Sequence, residues 1–361
     1  MRRRWQRLSI LKFLKSKYVI AYLASFLMFI VSILFGIAVG SVAVPVTDIF
    51  PIILSPLLHL SFTHDIDPMY IDIVYQIRLP RVLLAGFVGA SLAIAGAAFQ
   101  GLLRNPLADP YILGVSSGAS VGAVSTLFFN ITLPLLSLYT LPILSISAAF
   151  ITIMLVLFFA RQVESTMRVE TIILTGIIFN SFLGAFISLI IALSGDQLSD
   201  IIGWLLGSVS MRGWKYIAII LPFFMVGSLL LLANSKELNA MSFGEERAHY
   251  LGVDVQRRKL IVLTAGSTLT GAAVAVSGAI GFVGLVIPHL TRLLWGPDHT
   301  HLLPLSILTG SSFLILADLV SRTIISPQLL PIGVITALIG APVFALILMR
   351  KRKTSKGGAS C

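Results

Sequence analysis

The chain has 361 residues, 57% of them hydrophobic and only 11% charged. That balance excludes a soluble domain and, with it, a soluble enzyme or nucleic-acid-binding module. The formal charge of +11 is concentrated at the two ends, which speaks of membrane topology rather than of nucleic acid.

Apolar runs of about 20 residues, enough to cross the hydrocarbon core, recur along nearly the whole length. They lack the period of two that barrel strands require, so the chain reads as an all-α polytopic membrane protein. Residues 1–17 carry Arg2, Arg3, Arg4, Arg7, Lys12, Lys15 and Lys17 with no acid. Residues 350–361 carry Arg350, Lys351, Arg352, Lys353 and Lys356. By the positive-inside rule both tails are cytoplasmic, and residues 18–349 between them hold an even number of spans. The stretch from Tyr18 is too long for a signal peptide and has no clear cleavage site. The only cysteine, Cys361, is the last residue, so neither a disulfide framework nor a cysteine metal site is expected.

Span 1 covers Tyr18–Val44. The segment Pro45–Gln76 contains Asp48, Asp65, Asp67 and Asp72 but no Lys or Arg, and reads as an external solvated loop. His59, His64 and Asp65 belong to that loop rather than to a metal site, because no fixed helical spacing relates them. RLPR (Arg78–Arg81) then precedes span 2, Val82–Leu103. Arginine at an external helix start opposes both the positive-inside bias and the helix dipole. On pattern alone it reads equally as interfacial snorkelling or as guanidiniums awaiting carboxylates of an external partner.

Span 2 is rich in small residues, from Gly86 and Gly89 to Gly96 and Ala98, which permits close helix approach. Pro106 and Pro110 forbid one continuous helix into span 3, Tyr111–Phe129. Span 4 (Leu141–Ala160) and span 5 (Thr171–Leu193) flank the loop RQVESTMRVE. After span 5 a short apolar helix is expected from Ser199 or Asp200 to near Gly207, as a re-entrant element beside a pore mouth. Span 6 covers Trp214–Ala233.

The longest hydrophilic interior run follows, Asn239–Lys259. Ser242 and Glu245 have the spacing of a capping box. Gly252 supplies a left-handed helix end, Asp254 caps the next helix, and a helix of two to three turns is expected between these signals. The pattern is shared by a helix lying on the lipid surface and by a docking element for a soluble partner. Span 7 covers Leu260–Ala279, and span 8 is short and broken by Pro288, with His289 and Arg292 near its inner end. Asp298, His299 and His301 read as a polar turn. Span 9 (Leu302–Val320) places Asp318 four residues before Arg322, a spacing that pairs them. Span 10, Ile332–Met349, completes ten.

The sequence contains no Gly-Lys pair and hence no P-loop, and no HExxH helix. Carboxylates are missing from span centres, which weakens the alternative of an ion-coupled secondary transporter. A passive structural membrane protein is the third class. What remains is a path driven by another polypeptide.

QIRLPR, NPLADPYILGVSSGASVG, SFGEERAHYLGVD, GAIGFVGLVIPHLTRLL, LILADLVSR and LPIGVITALIGAPVF together resemble the FecCD family of ABC importer permeases, which import vitamin B12 (cobalamin), ferric siderophores and haem. The resemblance covers about Gln76–Met349. It implies a type II importer fold of ten transmembrane helices, with spans 2–5 and 7–10 as an inverted repeat. It also implies a homodimer in the bacterial or archaeal plasma membrane, two cytoplasmic ATPase subunits and an extracytoplasmic binding protein. No cofactor is then expected in this chain, since ATP and Mg bind the partner ATPase.

Residue by residue, the resemblance assigns ATPase coupling to Ser242, Gly244, Glu245, Glu246, Arg247, Leu251, Gly252 and Asp254. It assigns binding-protein docking to Arg78, Arg81 and Arg322, and a cytoplasmic gate to Asn105 and Leu107. Ser165 and Thr166 are weaker candidates for a second gate. The implied mechanism is alternating access, with selectivity left mainly to the binding protein.

Overall fold

The computed structural model describes residues 2–40, 42, 44–58 and 66–357, and its regular elements there are all helical. In chain order they are α1 (Arg2–Ala38), α2 (Val46–Leu58), α3 (Pro68–Asp72), a π-helical turn (Ile73–Arg78), α4 (Leu79–Leu102) and α5 (Val115–Phe128). Then come α6 (Thr140–Val163), α7 (Val169–Leu193), α8 (Leu198–Leu205), α9 (Gly213–Ala233), α10 (Ser235–Met241) and α11 (Glu245–Tyr250). The last are α12 (Val255–Ser277), α13 (Val283–Trp295), α14 (His299–Thr323) and α15 (Ile332–Gly357).

Among the described residues, seven helical stretches are long and apolar enough to cross a membrane: α1 from Lys17, the run Pro68–Leu102, the stretch Ser137–Val163, α7, α9, α12 and α14. The expected spans 3, 8 and 10 correspond to shorter apolar helices at Val115–Phe128, Val283–Trp295 and Ile332–Leu346. Two of these are short because irregular backbone takes up part of the depth. Before α5 the chain makes a turn at Asn105–Asp109 and a 3₁₀ turn at Pro110–Leu113, then reverses at Gly114, φ 77°. Before α13 it passes Gly278 (φ 72°) and Phe282 (φ 67°). The two irregular segments satisfy one another, since the Ile280 N–H donates to the Tyr111 hydroxyl at 2.8 Å. Non-helical backbone at depth is tolerated where protein covers it in this way.

The helix at the centre is α4. Its most apolar stretch is 89% buried, and small residues let neighbours approach to backbone contact. A Cβ on Gly96 would lie 1.9 Å from the Gly284 carbonyl of α13, and one on Gly89 would lie 2.3 Å from the Gly310 carbonyl of α14. Ser311 of α14 also donates to the Gly86 carbonyl at 2.9 Å. The small-residue reading of span 2 is therefore realised as packing against two helices.

The segment 45–76 departs from the expected loop. Helix α2 buries Ile49 and Ile52 against α1 and the π-helical turn, and α3 leads directly into α4. The acids that signalled solvent are helix-start residues: Asp48 lies in the first turn of α2, and Asp67 caps α3 by accepting from Met69 N at 2.9 Å. Carboxylates are favoured there by free N–H groups and by the helix dipole. His59, His64 and Asp65 lie outside the described residues, as do the side chains of the tails before Lys17 and after Met349. The short helix expected after span 5 is α8, and Gly207 follows it at φ 77°.

Candidate functional site

Two charged regions lie at opposite ends of α14. At one end Arg78, Arg81 and Arg322 come together, as the sequence suggested, but all three are turned inward. Arg78 is 4% exposed. Its guanidinium donates to the carbonyls of Ile37 (2.6 Å), Ala38 (2.9 Å) and Val42, which caps the C-terminal end of α1. Arg322 adds a hydrogen bond to the Gly36 carbonyl. These carbonyls have no intrahelical partner, so guanidiniums are well placed to satisfy them.

Asp318 is the hub of this end. It lies four residues before Arg322, as expected, but that contact is long, at 3.7 Å. Its stronger partner is Arg81, whose Nε and Nη2 donate to the carboxylate at 3.0 and 2.8 Å while Nη1 reaches Ser210 Oγ at 3.1 Å. The Arg81–Asp318 bond is a fork geometry across two helices, and sequence spacing gave no sign of it because 237 positions separate the pair.

At the other end, the run 235–259 forms two short helices rather than one. Ser242 lies in helical geometry just after α10, and its hydroxyl donates to the Asn239 carbonyl at 2.7 Å. The residue before α11 is Gly244, φ 116°, with no side-chain cap. The expected capping box is thus absent. Glu245 is drawn away by a stronger partner, Lys259, at 2.8 Å. Lys259 is 1% exposed and also donates to the Met167 carbonyl at 2.8 Å, and a buried ammonium binds a carboxylate more strongly than a backbone N–H does.

The other end signals are realised. Gly252 takes φ 84°, its N–H bonds the His249 carbonyl (2.9 Å), and Val253 N–H bonds that of Ala248 (3.1 Å), the Schellman pattern. Asp254 caps α12 by accepting from Arg257 N at 3.2 Å. Helix α11 itself spans only six residues.

Ser242, Glu246, Arg247, Leu251, Gly252 and Asp254 are exposed, while Gly244 and Glu245 are half-buried. Sequence reasoning passed over two large apolar side chains here, Tyr250 at 88% and Phe243 at 67% exposure. An open cleft of about 540 Å³ lies between α11 and the start of α12, lined by Glu246, His249, Gly252 and Asp254 among others.

Near this region lies the turn after α4. Asn105 Oδ1 accepts from Leu107 N at 2.9 Å and Leu107 is 41% exposed. The loop 164–168 also joins the region, because Gln256 Nε2 donates to the Thr166 carbonyl at 2.6 Å. Glu164 is held below the usual carboxylate range by hydrogen bonds from Thr171 and Thr166. Ser165 and Thr166 therefore sit in a loop fastened to the start of α12.

His299 and His301 point to different neighbours. His299 bonds Asn239 of α10, whereas His301 stacks on Tyr18 at 3.7 Å between centroids and meets the Tyr22 hydroxyl at 3.2 Å. No group of three potential metal ligands occurs among the described residues. Burial raises the Asp298 pKa, but hydrogen bonds from Thr300 and Asn239 outweigh it and hold the carboxyl below its ordinary value.

The sequence pattern described as the FecCD transport family matches residues 28–350. An ABC transporter permease of Bacillus subtilis, YvrB, whose role is uncharacterised, is 62% identical over 94% of this chain and 95% of its own length. The cobalamin import permease BtuC of Halobacterium salinarum is 46% identical over 78% of this chain and 74% of its own. Among solved structures, an inward-facing ABC transporter of proposed metal-chelate type superposes with a TM-score of 0.78 at 35% identity, covering 91% of this chain and 98% of that one. The ion-coupled carrier is not favoured by these relatives. The chain belongs to the FecCD transport family and is a multi-pass permease component of an ABC importer, not an enzyme.

Proposed function

We propose that this permease imports a bulky metal chelate, with cobalamin first among the candidates and ferric siderophores and haem behind it, as a homodimer with ten transmembrane helices per subunit. The named substrate of the Halobacterium relative and the metal-chelate type of the solved one support that class. Helices α5, α13 and α15 complete the ten as short spans, and both tails face the cytoplasm.

The observation that carries the coupling role is the exposure of Tyr250 and Leu251 at the end of a short helix, in a chain whose long helices are apolar enough to cross a membrane. On this reading α11, from Gly244 to Gly252, seats in the ATPase, and the turn at Asn105 and Leu107 is the gate. The pathway reading is supported by α7, whose most apolar stretch is only 11% buried. Asn180, Ser181 and Ser188 lie on one exposed flank, while Ile178, Phe182 and Leu189 lie on another. An amide exposed on a spanning helix is costly against lipid, which favours water beside the first flank. A second copy or lipid covers the other.

Within their cluster Arg78, Arg81 and Arg322 face one carboxylate, Asp318, a local excess of positive charge that would meet acidic residues of a binding protein. Such charge steers and orients partners more than it holds them. The test is to capture the binding protein and titrate it by calorimetry with cobalamin, haem and ferric siderophores. Cobalamin binding alone assigns the system to vitamin B12, haem or siderophore binding makes it an iron importer, and binding of none contradicts the chelate reading.

A further inference from the structure

We propose that the His299 ring is the wedge through which the α10–α11 segment moves the cytoplasmic end of α4, and with it the turn at Asn105 and Leu107. This rests on the reading that α11 meets the ATPase and that the turn is the gate.

One edge of the ring is held by the coupling segment. Asn239 Oδ1 accepts from both the backbone N and the ring Nδ1 of His299, each at 2.8 Å, while its Nδ2 donates to Asp298 Oδ1 at 2.7 Å. The chemistry fixes the orientation, since a carboxylate only accepts. The amide nitrogen must face Asp298, so the amide oxygen faces His299 and Nδ1 carries the ring proton. Nε2 is left as a bare lone pair, buried and without a hydrogen-bond partner.

The other edge is pressed against α4. The ring is 3% exposed, and a Cβ on Gly101 would lie 2.2 Å from Nε2. Gly101 is in the last turn of α4, four residues before Asn105. A second contact joins the same two regions, because a Cβ on Gly244 would sit 3.6 Å from Arg104 Nη1. Helix α14 has little room to shift along α4, given the backbone approach of Gly89 and Gly310 about three turns further along the pair. The ring is itself rigid, and its burial against Gly101 leaves little space for another rotamer, so displacement of Asn239 is passed on to Gly101. This also accounts for an unpaired buried nitrogen, which native structures seldom keep: that edge serves as a bearing surface.

The test uses the assembled permease–ATPase complex with Cys361→Ser and Leu107→Cys, so that a thiol reagent reads the turn. Labelling is timed with and without ATP and vanadate. His299→Leu keeps the bulk but loses the Asn239 contact. We expect it to assemble, with the nucleotide effect on labelling cut roughly tenfold, the upper range for residues linking two sites. Asn239→Leu should do the same, and the double variant should do no worse, because both break one link. His299→Gln, whose amide can again donate to Asn239, should recover part of the response.

A parent-like nucleotide effect in His299→Leu, or losses that multiply in the double variant, overturns the proposal. If the leucine variants fail to assemble, Gly101→Ala carries the test, since its methyl must expel the ring from its seat. A parent-like response there also overturns it. Gly252→Val separates the two levels. If that variant loses the response and His299→Leu keeps it, the wedge alone is wrong. A parent whose labelling ignores nucleotide refutes the gate reading and the wedge with it.

Discussion

The two charged ends of the molecule were equally conspicuous in sequence, yet they are opposites in structure. The arginine end is closed: Arg78, Arg81, Asp318 and Arg322 are nearly inaccessible and bonded to one another or to the end of α1. The α10–α11 end is open, with Tyr250, Leu251, Glu246 and Arg247 presented to solvent. The difference teaches that charge in an apolar chain marks a place where something must be satisfied, without saying whether the partner is internal or external. Burial decides that. Substitutions at the closed end should therefore act first on stability, and those at the open end on coupling.

The largest effect is expected at Asp318. Asp318→Ala leaves two buried guanidiniums without a counter-charge, and removing one partner of a buried pair costs about 3–5 kcal/mol. A sharply lower thermal midpoint in detergent, with poor recovery of folded protein, is the expected readout. An unchanged midpoint would break the picture of a closed end.

Next comes the Lys259–Glu245 pair of the open end. Lys259 is 1% exposed and Glu245 34%, so the two partners are unequal. Glu245→Ala strands a buried ammonium and should cost roughly 2 kcal/mol, whereas Lys259→Met leaves a carboxylate that reaches water and should cost less. Measuring both midpoints checks the order, and the reverse order would contradict it.

Gly252→Val should have a smaller effect on stability. No atom lies within 4 Å of the added Cβ, so only the left-handed backbone is penalised, at about 1–2 kcal/mol. In the assembled complex, the partner ATPase should still hydrolyse ATP with this variant, without substrate being imported. The smallest stability change is expected for Tyr250→Ala and Leu251→Ala, within about 0.5 kcal/mol for exposed sites, together with weaker retention of the ATPase on affinity purification. If these variants lost stability and kept the ATPase, the open end would not be a docking surface.

Much of the architecture was legible because lipid imposes simple rules. Apolar runs marked the long helices, prolines 106 and 110 marked the break after α4, and Gly252 and Asp254 marked their turn and cap. Other features were hidden for physical reasons. Runs α4 and α7 have the same hydropathy, yet one is 89% and the other 11% buried. Hydropathy reports transfer from water and cannot distinguish lipid from protein as the new surroundings. Only the glycine and alanine content of α4 hinted at its central place.

Acids at 48 and 67 resembled a solvated loop because a helix start and a loop favour the same side chains. The capping box at Ser242 and Glu245 failed because a distant residue, Lys259, outcompeted a local bond. Likewise Arg81–Asp318 and Asn239–His299 are long-range contacts, and local spacing carries no information about either.

The most direct test of the account is site-specific photo-crosslinking in the intact membrane. A photoreactive residue is placed at Tyr250 and, separately, at Arg212 on the opposite side of the molecule. A covalent adduct is expected between position 250 and the ATPase subunit, and none between position 212 and that subunit. An ATPase adduct from 212 with none from 250 would contradict it.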